Sequence, residues 1–185
     1  LQQDDGTQDI LFGGAGDDTI TVAAGVVTGV DVSGGNTGAA AESGNDIITI
    51  DGTVNFVYGD SVNGVGSGSD TIVINGTAGA IHGDTDNNNG SGADVVIING
   101  TVGSIYTDSD TANGSGNDTI VVNGSAGFIF TDSFSNTGSG NDVVQNNGVI
   151  GGDVFLDSAN GAGSGSDTLV NNGTITGDVL ADDGV

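Results

Sequence analysis

The feature that most constrains this chain is a segment that returns at a fixed interval. A Gly-Ser-Gly-x-Asp turn is followed by a short β-branched run. It reads Gly66-Ser67-Gly68-Ser69-Asp70-Thr71-Ile72-Val73-Ile74 and returns at residues 90–98, 114–122, 138–144 and 163–170. Asp46, Asp70, Asp94, Asp118 and Asp142 follow one another at 24 residues; Asp167 comes after 25, and Asp18 lies 28 before Asp46. A period of this size marks a solenoid or an array, whose units bury apolar surface only by stacking on their neighbours.

Every unit carries the same parts. In the one that starts at Gly114, a strand over 119–122 leads to the corner Asn123-Gly124 and a second strand over 128–130. Asp132 and a polar loop at 133–137 follow. Asn-Gly between two β runs often closes a hairpin. A hairpin, however, gives no reason for each unit to repeat its side chains at matching positions. Stacked coils do, because strand pairs with strand at about 4.8 Å. The expectation is an all-β chain forming one parallel β-solenoid domain over 1–185, with about seven rungs of about 24 residues. Residues 1–21 form a distinct start and 22–185 the long rungs.

Period-two alternation sorts the columns. Ile48, Ile72, Val96, Ile120, Val144 and Leu169 are expected to point inward, as are Val57, Ile81, Ile105, Ile129, Val154 and Val179. Tyr58, His82, Tyr106, Phe130, Phe155 and Leu180 are then expected to form an exposed, largely aromatic ladder. The opposite assignment puts the aromatics in the core. An exposed ladder of this size would mark a contact surface.

Charge narrows the partners. The chain has 25 acidic side chains, no Lys and no Arg. That excludes nucleic acid and anionic membrane as ordinary electrostatic partners. Cysteine is absent, which excludes disulfides and thiolate sites, and no apolar run reaches membrane-spanning length. A start at Leu1 is expected for a processed or excised product. A chain with no tryptic site suits an extracellular or cell-surface location.

Two aspartate ladders are the candidate binding residues. One is Asp18, Asp46, Asp70, Asp94, Asp118, Asp142 and Asp167; the other is Asp60, Asp84, Asp108, Asp132, Asp157 and Asp182. Stacking would place like charges about 5 Å apart, at a cost of about 1 kcal/mol per pair in water and several at a protein-like dielectric. No basic side chain offsets this. Ca²⁺ would, since it takes six to eight oxygens. The loops add Asp86 and Asp110 as further oxygen ligands. These loops lack the glycine spacing and terminal Glu of an EF-hand. The alternative role is local, with each Asp capping its own turn.

Gly13-Gly14-Ala15-Gly16-Asp17-Asp18-Thr19-Ile20-Thr21 resembles the nonapeptide Gly-Gly-x-Gly-x-Asp-x-aliphatic-x of the repeats-in-toxin (RTX) family. The nonapeptide before it keeps Asp9 and Leu11 but has Asp4-Asp5 and Thr7 where the family has glycines. The resemblance implies Ca²⁺ at the glycine-aspartate turns, Asp9 and Asp18 included. The later rungs share only Gly-x-Asp.

Asn75, Asn99, Asn123 and Asn172 begin Asn-Gly-Thr/Ser triplets that fit the glycosylation signal, as do Asn89, Asn113 and Asn117. They equally suit a column of corner turns at positive φ. His82 stands where other rungs have Tyr or Phe and reads as a substituted stacking residue. No aspartate stands apart from the repeat as a catalytic residue would, and an enzyme is not expected. The expected function is a secreted structural subunit, stabilised by Ca²⁺. It would polymerise head to tail or through Tyr58, Tyr106, Phe130 and Phe155 into a filament or surface layer. The alternative is a Ca²⁺-binding spacer, or a carbohydrate- or ice-binding module, of a larger RTX-type adhesin.

Overall fold

The computed structural model describes residues 10–26, 30–35, 44–135, 137–157 and 163–181. Asp9 and Asp182, two of the expected ligands, lie outside them. The strands are β1 (Ile10–Phe12), β2 (Thr19–Val22), β3 (Asp31–Ser33), β4 (Ile47–Ile50), β5 (Thr53–Tyr58), β6 (Thr71–Ile74), β7 (Thr77–His82), β8 (Val95–Ile98) and β9 (Thr101–Tyr106). They continue as β10 (Thr119–Val122), β11 (Ser125–Phe130), β12 (Val143–Asn146), β13 (Val149–Ile150), β14 (Val154–Phe155), β15 (Thr168–Asn171), β16 (Thr174–Ile175) and β17 (Val179–Leu180).

Strands β2, β4, β6, β8, β10, β12 and β15 form one seven-stranded sheet, one strand per rung. The second sheet runs β1-β3-β5-β7-β9-β11-β13-β16, with β14 and β17 paired alongside. Pairing is parallel, and the register follows the aspartate period: Ile48 pairs Ile72, Ile72 pairs Val96, Val96 pairs Ile120 and Ile120 pairs Val144. The chain is therefore a parallel β-solenoid of about six turns, as the repeat required.

The core lies between the sheets. Ile48, Ile72, Val96, Ile120 and Val144 face Val57, Ile81, Ile105, Ile129 and Val154, all fully buried. Each such side chain contributes about 1.5–3 kcal/mol by leaving water. The C-terminal rung opens this core: Leu169 is only partly buried and Val179 is exposed.

The aromatic column corrects the expectation of an exposed ladder. Tyr58, His82 and Phe130 are only 4–5 % exposed, and Tyr106 and Phe155 are half-buried. Strand β7 alternates at its start and then buries Ala80, Ile81 and His82 in succession. Both neighbours, the aliphatic and the ring, are thus covered, and the rings lie outside the aliphatic core cluster. They stack at 4.8–5.0 Å from Tyr58 through His82, Tyr106 and Phe130 to Phe155, and Phe134 packs edge-on against Phe130. His82 is a stacking residue, as its position in the repeat indicated.

Glycine serves close approach more than turning. Gly14, Gly16 and Gly25 alone among the described residues have positive φ, and the first two sit in the RTX-like nonapeptide. Gly76 at the Asn-Gly corner does not, which corrects the positive-φ expectation. A Cβ there would collide with the Gly52 carbonyl of the preceding rung. The corner is held instead by a ladder of amides. Asn75 donates to Asp51, Asn99 to Asn75, Asn123 to Asn99 and Asn147 to Asn123, at 2.7–3.0 Å.

Candidate metal centre

The first aspartate ladder is built by the turn before each strand of the seven-stranded sheet. The Asp46 amide donates to Asp70 Oδ1 at 2.6 Å, and the amides of Asp70, Asp94 and Asp118 donate to the Oδ1 of Asp94, Asp118 and Asp142 at 2.8 Å. The Asp18 amide reaches Asp46 Oδ1, and that of Asp142 reaches Asp167 Oδ1. One oxygen of each carboxylate thus ties rung to rung, so the capping role has a real basis, although it spans rungs and is not confined to one turn. The other oxygen is left over along the ladder: Oδ2 of Asp18, Asp70, Asp94, Asp118 and Asp142 is buried without a hydrogen bond.

The second ladder follows the aromatic column. Asp60 Oδ2 accepts from the Gly68 amide at 2.7 Å and Asp84 Oδ2 from Gly92 at 2.8 Å. Oδ1 of both is buried and unbonded. The leftover oxygens converge. Asp46, Asp60 and Asp70 form one group of carboxylates with oxygens within 4.8 Å of one another, and Asp70, Asp84 and Asp94 form a second. Asp70 belongs to both.

Unpaired buried carboxylates are costly as anions, and their proton affinity reflects it. Burial, followed by the Asp60 and Asp46 charges, pushes Asp70 up to about 8 against the pull of the Asp46 amide. Asp60 is pushed up to about 6, mainly by burial. Asp84 and Asp94 are raised well above the usual carboxylate range, by burial first and then by neighbouring carboxylates. Such a site takes up protons or a cation. The all-oxygen, fully buried donor set fits a hard metal ion.

The next two rungs differ. Asp108 accepts the Gly116 amide on both oxygens at 3.0–3.2 Å, and Asp132 accepts Gly140 likewise at 3.0–3.3 Å. The residue before the second-ladder aspartate also changes, from Gly59 and Gly83 to Thr107 and Thr131. A Cβ at Gly59 or Gly83 would run into Oδ2 of Asp70 or Asp94 and into a backbone carbonyl of the following rung. Where Thr stands, its hydroxyl donates to a backbone carbonyl of the next rung, Thr107 to that of Thr131 and Thr131 to that of Phe155. Burial still pushes Asp118 and Asp142 up to about 7 and about 8. This column was not singled out from the sequence, although aligning residues 59, 83, 107 and 131 displays it.

The remaining expected ligands are placed elsewhere. Asp18 and Asp167 sit partly buried at the two ends of the first ladder, and Asp157 is buried beyond Asp132. Asp86 and Asp110 lie apart from both groups. They line a groove of about 550 Å³ with Tyr58, His82, Tyr106 and the unforeseen Asp31. His82 Nδ1 is 4.0 Å from Asp86 there, and burial pushes the imidazole down to about 4 despite that carboxylate. No family model, curated protein or solved structure matches the chain.

Proposed function

We propose that this chain is a structural β-solenoid, held by Ca²⁺ inside its rungs, that stacks end to end into an extracellular filament or surface layer. The observation that supports it most is the convergence of five buried carboxylates, Asp46, Asp60, Asp70, Asp84 and Asp94, in a chain with no Lys or Arg. A multi-dentate oxygen site suits Ca²⁺ above softer or smaller ions, and extracellular modules work at the Ca²⁺ levels such sites need. The RTX-like nonapeptide at 13–21, with its two left-handed glycines, supports the same ion.

End-to-end stacking draws on the terminal rungs. Strands β1 and β2 at one end, and β15 and β16 at the other, have one strand neighbour each among the described residues. Such edges accept a further parallel rung. Apolar surface lies at both: Phe12 at the first, Val170 and Val179 at the last. A heterologous contact of this kind does not close and gives fibres. Lateral association through the aromatic rings loses its support, because the rings cover one another. The repeat-wide, regular use of the aspartates favours architecture over catalysis.

Electron microscopy of the purified chain, in millimolar Ca²⁺ and after chelation, tests this reading. Filaments that lose order on chelation are the expected result. Isolated short rods in Ca²⁺ would remove the polymer and favour the second reading, a module of a larger adhesin. The groove beside Tyr58, His82 and Tyr106, with Asp31, Asp86 and Asp110 on its walls, supports that reading, since aromatic faces and carboxylates are the groups that hold sugars.

A further inference from the structure

We infer that the interior holds a single two-cation centre, bridged by Asp70, and that the rungs C-terminal to it are closed to ions by Thr107 and Thr131. The inference rests on the Ca²⁺ reading above and makes it specific: it assigns the number of ions, the bridging residue and the selector column.

Three observations carry it. The two carboxylate groups share Asp70, so they form one cluster of five aspartates. Five carboxylates bring a charge of −5, and two divalent cations bring +4, which leaves the cluster near balance; one cation would leave most of the buried charge uncompensated. The leftover oxygens of Asp60, Asp70, Asp84 and Asp94 are buried and accept no hydrogen bond. These aspartates are 0–1 % exposed, so the oxygens are held inside the fold and not on a solvated face.

The third observation is the contrast along the stack. The repeat continues through Asp94, Asp108 and Asp118, and through Asp118, Asp132 and Asp142, yet among the described residues neither set closes into a compact group. Asp108 and Asp132 spend both oxygens on a glycine amide. Thr107 and Thr131 bring a side chain to the position where, at Gly59 and Gly83, the Oδ2 of Asp70 or Asp94 itself fills the space a Cβ would take. Glycine at this column opens a rung to an ion and threonine closes it.

The test counts Ca²⁺ bound to the full chain by native mass spectrometry and calorimetric titration, with Ca²⁺ as the only added ligand. Asn keeps the acceptor oxygen that ties Asp70 to the Asp46 amide and removes the charge, so Asp70→Asn separates the two roles. The expected result is that Asp70→Asn loses two bound ions relative to the parent, Asp84→Asn loses one and Asp132→Asn loses none. Circular dichroism checks that each variant keeps its β signature. If Asp70→Asn does not fold, Asp60→Asn and Asp84→Asn are each expected to lose one ion and their double variant two.

Equal losses in Asp70→Asn and Asp84→Asn would overturn the bridge. Loss of an ion in Asp132→Asn would overturn the selector column. An unchanged count in Asp70→Asn, with the parent still binding Ca²⁺, would overturn the centre and leave the ion-stabilised rod standing on other sites. A parent that binds no Ca²⁺ would overturn both.

Discussion

Rungs that look alike in the repeat divide into two kinds. Around Asp60 and Asp84, each second-ladder aspartate makes one hydrogen bond and turns its other oxygen towards Asp70 or Asp94. Around Asp108 and Asp132, both oxygens are used on an amide, and a threonine hydroxyl stands beside Asp118 or Asp142. The backbone register is the same in both kinds. The difference shows that rungs in one register can place their second-ladder carboxylates differently, and the proposed selector is the neighbouring glycine or threonine.

The largest effect is expected from forcing one kind into the other. Gly83→Thr puts a Cβ against the Thr107 carbonyl and the Asp94 carboxylate, both within the collision range. Backbone cannot yield as a flexible side chain does, so a loss of about 3 kcal/mol or more is expected in urea unfolding. The reverse change, Thr107→Gly, is expected to cost about 1 kcal/mol, chiefly as added chain entropy. Equal costs would mean that the column is not a steric divide.

The pH response of the ion-free chain separates the two kinds less sharply. Asp70 is raised to about 8 and Asp118 to about 7, both from 3.8. The folded state therefore binds more protons than the unfolded one. Its stability is fully present below about pH 4 and is lost as pH rises through 7 to 8. Denaturant midpoints measured in chelator are expected to fall by the equivalent of several kcal/mol over that window. With Ca²⁺ present, the fall is expected to shrink, because the ion takes the place of the protons around Asp70. A midpoint that rises from pH 4 to 8 in chelator would contradict the unpaired-carboxylate account.

Two smaller effects complete the comparison. Thr107→Val removes the hydroxyl that donates to the Thr131 carbonyl and is expected to destabilise the chain by about 1 kcal/mol in urea unfolding. An unchanged denaturation midpoint would contradict the role given to that hydroxyl. Asn99→Ala breaks an exposed step of the amide ladder, present in both kinds of rung, and is expected to cost about 0.5 kcal/mol by thermal melting. A much larger cost would make the corner, not the carboxylate interior, the main support of the stack.

The coil architecture was legible because the repeat leaves little freedom: the 24-residue step of the aspartates is the strand register itself, and the columns at Ile72 and Ile81 lie in the core where alternation put them. Alternation failed at His82, because three consecutive residues of β7 are buried and the rings shelter one another by stacking. The aspartate ladders were legible as ladders. Their division was not, since it depends on which oxygen each carboxylate spends and on how closely Gly59 and Gly83 approach the carboxylates of Asp70 and Asp94. Those are distances across rungs that a linear motif does not contain. Asp86 and Asp110 share a composition with the ladder residues but point to a different surface, the groove beside Tyr106.

Thermal unfolding of the full chain at pH 8, in millimolar Ca²⁺ and in excess chelator, tests the central claim most directly. Two sites held at a hundredfold excess over their dissociation constants stabilise the fold by about 5 kcal/mol. For a chain of this size that amounts to a rise of about 10–20 °C in Tm. The account predicts that rise on adding Ca²⁺ and its reversal on chelation. A Tm indifferent to both would contradict it, and would leave the buried aspartates as protonated links between rungs.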